Sequence, residues 1–284
     1  MKCKSLKPLA ILLLTLLLFH QSSYGQQHKD NTWNHLKTDA YYMGDGFLHV
    51  LKSPARWKGK DFLKVAGFLG GAFLISFLDE PFNDWALDNN NPRRRENLEK
   101  FADITGKPGP AIVGFSAIYG TGLLLNNETI RDAGVVIFGS LASTALMQTI
   151  SKAATGRARP ASGLRYDVFK PFSNDPAFHS FPSGHAVSSM TITAALARQI
   201  NFKPARIFLY GIGIATGFAR SFNQAHWLSD VVVSMGLTYL AVHTVEKRYQ
   251  EKKAAANGLP PPSSKTRVNF IPYATGFKMT VTFP

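Results

Sequence analysis

Three short segments of this chain carry side chains that could work together on a phosphoryl group. They are Lys152–Pro160 (KAATGRARP), Pro182–His185 (PSGH) and Arg220–Asp230 (RSFNQAHWLSD). Among their side chains are three cations (Lys152, Arg159, Arg220), two histidines (His185, His226), one carboxylate (Asp230) and the small-residue turn Ser183-Gly184. No set among them reads as a metal site, and nothing calls for a cofactor. The inventory can hold a phosphoryl group, attack it and protonate what leaves.

Each segment has an ordinary structural counterpart. A basic helix end such as Lys152 usually meets solvent or the helix dipole. Ser183 at the start of a helix is most simply an N-cap. His226 and Asp230 are four residues apart and share a helix face, as many surface pairs do. The functional version of each is also specific. Arg159 offers a planar fork to two oxygens and Lys152 a point charge. Gly184 lets backbone N–H groups come close to an anion at a helix N-terminus. A carboxylate at Asp230 can accept from Nδ1–H of His226 and leave Nε2 free. The joint occurrence carries the argument: three such accidents would have to fall in order, at helix ends that a bundle can bring together.

The segments resemble the motifs of the PAP2, or type 2 phosphatidic acid phosphatase, superfamily, which includes bacterial class A acid phosphatases, lipid phosphate phosphatases and vanadium haloperoxidases. Lysine, six residues, then Arg-Pro matches Lys152, Arg159 and Pro160; Pro-Ser-Gly-His matches Pro182–His185; Arg220, His226 and Asp230 match the third motif, with Ala219 where the family usually has Ser. The resemblance covers about residues 60–245. It implies a metal-independent phosphatase in which His226 is the nucleophile and forms a phosphohistidine. In that scheme Asp230 orients His226, and His185 is the general acid and then the base. Lys152, Arg159, Ser183, Gly184 and Arg220 bind the phosphoryl oxygens. A soluble acid phosphatase, a vanadium-dependent haloperoxidase and a non-catalytic phosphate binder with a relic site share the same residues.

The elements that position these side chains read as helices. Apolar stretches of helical length cover 62–78, 110–125, 133–150, 185–200, 205–219 and 227–245 and are punctuated by Glu80-Pro81, Asn91-Pro92, Lys107-Pro108 and Lys203-Pro204. Six core helices predict an all-α bundle. The expected layout is a signal peptide over 1–25, a polar lead-in over 26–60, the phosphatase body over 61–250 and a Pro-rich linker with a β-like tail over 251–284. In that tail Phe277, Met279, Val281 and Phe283 alternate with polar residues. With Val268–Tyr273 before them they predict a short terminal β-hairpin.

Export is predicted from Lys2, Lys4 and Lys7, the apolar run Leu9–Phe19, and Ser23 and Gly25 before a cut at Gln26. Cleavage would remove Cys3, the only cysteine among 284 residues, so the mature chain would rely on packing alone. The net charge of +14 favours anionic partners, a phosphorylated small molecule or lipid above all. No nucleic-acid-binding module is present. Mean hydropathy is −0.05, low for six membrane spans. That value favours a bundle lying outside the membrane, periplasmic or membrane-associated, with its site outside the cytoplasm.

Overall fold

The computed structural model describes residues 32–89, 91–260, 267–273 and 276–282. The predicted leader and its cut site lie outside the described residues, as does most of the Pro-rich linker. Nine α-helices occur among the described residues: α1 (Thr32–Leu51), α2 (Gly59–Ser76), α3 (Asp79–Asn89), α4 (Pro92–Gly106), α5 (Pro108–Leu124), α6 (Glu128–Thr155), α7 (Gly184–Gln199), α8 (Lys203–Phe222) and α9 (Leu228–Ala256). The six predicted helices correspond to α2 and α5–α9. The sequence reading allowed one or two short helices in the lead-in, where α1 forms, but none for the polar segments that form α3 and α4. A backbone hairpin follows, β1 (Arg267–Tyr273) antiparallel to β2 (Gly276–Thr282), with Val268 opposite Val281.

Local chemistry sets the boundaries. α4 starts at an Asn-Pro signal: the Asn91 side chain accepts from Arg94 N at 2.8 Å, and Pro92 fills the first turn. α6 starts in the same way, with Asn127 accepting from Ile130 N at 3.0 Å. It stops at Gly156, which adopts φ +54° and returns its N–H to Lys152 O at 3.1 Å. α9 runs to Ala256, past the apolar stretch that predicted it, because its last turns are tied down by ion pairs.

The core lies between α6, α7 and α9, built from Val135, Val136, Ile137, Ala194, Ala195, Leu196, Val242 and Val245, with Met43 and Val50 of α1 closing one side. α7 is buried on most sides, and α6 pairs a buried face with an exposed apolar one, so both show little one-faced patterning. α6 and α9 run antiparallel. At one end Lys253 of α9 meets Glu128 and Asp132 of α6, at 2.8 and 2.5 Å. α1 is fastened at this end by Arg248 to Asp45 at 2.7 Å and Arg131 to Asp39 at 3.2 Å. The three chemical segments gather at the other end, about 40 Å away for a helix of 28 residues.

The outside of the bundle is apolar. α2 has no buried residue; it exposes Phe73 (64%) and Leu74 (66%), while α5 exposes Leu124 (88%) and α8 exposes Ile207 (72%). α6 and α9 are long and apolar enough to cross a membrane, and α2 with α3 forms one further bent candidate. Of the two expected placements, periplasmic or membrane-associated, this surface supports the membrane-associated one. The average hydropathy is low because polar α4, the 156–183 loop and the end of α9 dilute the apolar helices. A contiguous apolar exterior of this extent marks contact with lipid or protein rather than water.

Candidate active site

Motif residues at helix ends meet at one point because α6, α7, α8 and α9 all begin or end there. The loop after α6 folds back on itself. Lys170 N donates to Gly156 O at 2.7 Å, Ala158 N to Val168 O at 2.9 Å and Ser180 N to Arg157 O at 3.0 Å. A Cβ on Gly156 would lie 1.8 Å from Lys170 O, so no other residue fits this return.

His226 is buried, and its Nδ1 lies 2.5 Å from the carbonyl oxygen of Ser180. A carbonyl can only accept, so Nδ1 carries the proton and Nε2 keeps its lone pair. Burial first, then Arg159, Arg220 and Lys152 nearby, pushes the imidazole well below its ordinary value; the Ser180 contact opposes this only in part. The ring is neutral at physiological pH. A histidine with a free Nε2 among fixed cations suits nucleophilic attack on an anionic phosphorus centre.

The expected contact between Asp230 and His226 is absent. Asp230 Oδ1 accepts from Arg157 at 2.5 Å, and Oδ2 accepts from Ser180 Oγ at 2.5 Å and Trp227 N at 3.1 Å. The reason is geometric: Asp230 caps the first turn of its own helix and pairs with a buried cation. It therefore acts on His226 through Ser180. Arg157 also donates to Asp79 Oδ2 at 2.8 Å and to Ser229 Oγ at 2.8 Å. Asp79 Oδ1 accepts from Ser229 N at 2.8 Å. Arg157, Asp79, Asp230 and Ser180 form a buried frame beneath His226. Sequence reasoning missed Arg157, Asp79 and Ser180. Arg157 stood between two motif cations, and a buried aspartate at the start of α3 carries no spacing signal.

His185 opens α7, with Nε2 3.3 Å from Asp103 Oδ1 on α4. Burial, then Arg220, lowers its pKa, while Asp103 and Glu99 pull it back up. Arg220 ends α8 and donates to Glu99 Oε1 at 2.5 Å, and Asn223 donates to Glu99 Oε2 at 3.0 Å. Arg159 donates to His179 O at 3.3 Å. A cavity of about 600 Å³ opens beside Arg159 and Arg220, walled by Arg95, Glu96, Glu99 and Asp103 of α4. Glu99 and Asp103 were also missed. Their i,i+4 spacing is a signal only once α4 is known to face the site.

Several buried polar atoms here have no partner: Arg159 Nε, Arg220 Nε and Ser183 Oγ. Ser183 is the N-cap of α7, yet its hydroxyl makes no capping bond. Leaving such donors unmet costs about 1–3 kcal/mol each. Their clustering beside a neutral histidine marks a site made for an anion with several acceptor oxygens. Among the described residues, no group of three or more His, Cys, Asp or Glu side chains forms a candidate metal site.

The family model of the PAP2 superfamily matches residues 133–253. This stretch is similar to PAP2 superfamily domains. The chain is 35% identical over 104 residues to the lipid A 1-phosphatase of Rhizobium etli, covering 36% of this chain and 44% of that protein. The lipid A 1-phosphatase of Rhizobium johnstonii is also 35% identical over 104 residues, covering 36% of this chain and 42% of that protein. The chain thus spans less than half the length of these curated relatives. The crystal structure of a transmembrane PAP2-type phosphatidylglycerolphosphate phosphatase from Bacillus subtilis superposes with a TM-score of 0.51 at 22% identity, over 64% of this chain and 92% of that one. The all-α bundle is therefore the PAP2 fold.

Asp79, Glu99 and Asp103 lie outside the stretch that the PAP2 model matches, although all three touch residues inside it. α3 and α4 are thus part of the working domain. Ala219, where the family usually has Ser, is fully buried in the last turn of α8; its carbonyl accepts from Asn223 N at 3.1 Å.

Proposed function

We propose that this PAP2 domain is a metal-independent phosphatase that hydrolyses a phosphate monoester of a lipid through a phosphohistidine on His226. The observation that carries the reading is the set of unpartnered donors, Arg159 Nε, Arg220 Nε and Ser183 Oγ, around a neutral imidazole. Phosphoryl transfer spreads charge over three equatorial oxygens, and fixed donors aimed at them do most of the catalytic work. In the proposed scheme, Lys152, Arg159, Arg220, Ser183 and the Gly184 amide hold those oxygens. Nε2 of His226 attacks phosphorus as the bond to the leaving oxygen breaks. His185 gives that oxygen its proton, then takes one from the water that releases phosphate and frees His226.

A lipid substrate is supported by the apolar exterior and by the relatives, whose names specify phosphorylated lipids. A site outside the cytoplasm is supported by charge. Arg198, Lys203, Arg206, Lys247, Arg248, Lys252 and Lys253 cluster at the end of the bundle away from the site, where a positive-inside distribution expects the cytoplasm. The predicted boundaries at 25, 60 and 250 remain part of this proposal.

The test is phosphate release from phosphatidate, lipid A and p-nitrophenyl phosphate by detergent-purified protein, with and without EDTA. A brief reaction with labelled substrate should trap an acid-labile, base-stable phosphoenzyme that is absent in His226→Ala. Loss of turnover in EDTA, or a trapped adduct that survives His226→Ala, defeats the mechanism. Hydrolysis of the aryl ester with no lipid turned over defeats the substrate class.

A further inference from the structure

His185, and not His226, has a carboxylate against its ring. Asp103 Oδ1 is 3.3 Å from His185 Nε2, and its Oδ2 accepts from Lys107 at 2.6 Å. The two histidines therefore have opposite partners. His226 donates its Nδ1–H to a neutral carbonyl, which offsets only part of the lowering that burial and the nearby cations impose. His185 meets a carboxylate, which favours the charged ring. Burial and Arg220 lower both rings, and only His185 has a carboxylate in contact to offset that, a difference that suits acid and nucleophile roles.

α4 is built tightly enough onto His185 for this contact to be a constraint. A Cβ on Gly106 would fall 2.7 Å from His185 O and 2.9 Å from its Cβ, so only glycine lets α4 pack here. One residue earlier, Thr105 Oγ1 lies 2.7 Å from Thr216 Oγ1, which lies 3.0 Å from Ser189 Oγ. That row of hydroxyls ties α4 to α8 and to α7, the helix His185 opens. Asp103 is two residues before Thr105 and one turn after Glu99, which holds Arg220.

We propose that Asp103 is a positioning residue for His185: its carboxylate accepts a hydrogen bond from Nε2–H, fixes the ring and leaves Nδ1 to exchange a proton with the leaving oxygen. This inference rests on the phosphatase reading above. An ionised carboxylate can only accept, so Nε2 carries a proton throughout. The imidazolium loses its Nδ1 proton to the leaving oxygen as the P–O bond breaks and regains one from the attacking water. The charges acting on His185 are Arg220 from α8 and Asp103 and Glu99 from α4. The other elements at the site carry Lys152, Arg159, His226 and Asp230. Arg220 opposes the charged ring, and among the described residues Asp103 is the one carboxylate in contact with it.

The experiment compares Asp103→Asn with wild type on two substrates. General-acid help matters for an alkyl phosphate, whose leaving oxygen is strongly basic, and little for p-nitrophenyl phosphate. The expected result is a fall in kcat of about 100-fold on the alkyl ester, at least about tenfold more than on the aryl ester, with KM nearly unchanged. Asp103→Glu should recover part of the loss. Equal losses on both esters would assign Asp103 a merely structural role and overturn the inference while leaving the phosphatase reading intact. A second readout does not need turnover. In protein labelled with [13C]histidine, the His185 resonance, assigned with His185→Gln, should titrate at lower pH in Asp103→Asn than in wild type. An unchanged titration overturns the inference even if wild type proves inactive on both esters, the outcome that would sink the phosphatase reading itself.

Discussion

The Ser180 carbonyl oxygen lies 2.5 Å from Nδ1 of His226. The same residue gives its hydroxyl to Asp230 at 2.5 Å and its N–H to Arg157 O at 3.0 Å. Ser180 thus converts a buried ion-pair frame into the orientation of one imidazole. An orienting carbonyl keeps His226 in one tautomer without giving it the basicity that a carboxylate would. Among the cations around His226, that arrangement keeps the ring neutral and its Nε2 lone pair available.

This relationship predicts different outcomes for two substitutions. Ser180→Ala keeps the carbonyl and loses one hydrogen bond to Asp230. Its kcat should fall about tenfold, the equivalent of about 1.4 kcal/mol, with little loss of stability. Asp230→Asn leaves Arg157 buried with only Asp79 as a counter-charge. That should cost about 3 kcal/mol or more, a drop in Tm of roughly 6–12 °C for a chain of this size, together with most of the activity. Thermal melts and kinetics on the two variants check both. A Ser180→Ala protein as unstable as Asp230→Asn would show that the frame, and not the orientation, is what Ser180 serves.

The parts of this picture that were legible in the sequence share a cause. Lys152, Arg159, Ser183, His185, Arg220, His226 and Asp230 lie beside glycines, prolines and helix ends that punctuate the chain, so their convergence followed from the bundle itself. The frame residues were not legible. Asp79 and Arg157 are 78 residues apart and meet only after folding. Glu99 and Asp103 lie on a polar helix with no apolar face to announce it, although Asn91-Pro92 marked its start. Asp230 was seen but given the wrong neighbour, because i,i+4 spacing shows which residues share a helix face and not which third residue stands between them. Membrane association was legible only as one of two placements, because an average over the chain hides an apolar shell beneath polar ends.

The two histidines predict an acidic activity profile. His226 must be neutral to attack, and burial among cations keeps it neutral well below its usual titration range. His185 must be protonated to act first, and burial with Arg220 beside it places its titration below the ordinary value of 6.5 in the free enzyme. kcat/KM should therefore fall as pH rises through the His185 titration, while the nucleophile stays competent on the acid side. A pH profile from 4 to 9 on p-nitrophenyl phosphate and an alkyl ester tests this. The falling limb should be steeper for the alkyl ester and should vanish in His185→Gln. A profile that rises through neutrality would reverse the two roles.

The unpartnered donors predict that an oxyanion stabilises the protein. Vanadate at about 100 times its Kd should contribute about 2.7 kcal/mol, raising Tm by roughly 5–10 °C. Ser183→Ala should move in opposite directions in the two states. It removes a buried hydroxyl that has no partner, so the free protein should be as stable as wild type or slightly more so. It also removes a donor to the oxyanion, so the vanadate shift should shrink. Arg220→Ala should abolish most of the shift. A Ser183→Ala variant that keeps the full vanadate shift would place that hydroxyl outside the anion site.

The last prediction concerns which side of a membrane the site faces. α6 and α9 run the length of the bundle, with His226 near one end and the Lys253 ion pairs at the other. If they cross, these ends are on opposite sides. The cluster of basic residues at the Lys253 end argues that this end is cytoplasmic and the site end external. The predicted leader pulls the other way, because α1 follows it closely and is fastened at the Lys253 end by Asp45. The single cysteine makes the choice measurable. In a Cys3→Ser background, Asn174→Cys reports the site end and Asn257→Cys the opposite end; both positions are exposed. A membrane-impermeant maleimide applied to intact spheroplasts should label Asn174→Cys and spare Asn257→Cys until the membrane is opened. The reverse pattern would turn the site to the cytoplasm. Labelling at both positions would mean that the leader delivers the whole bundle outside and that its apolar shell meets lipid without crossing it.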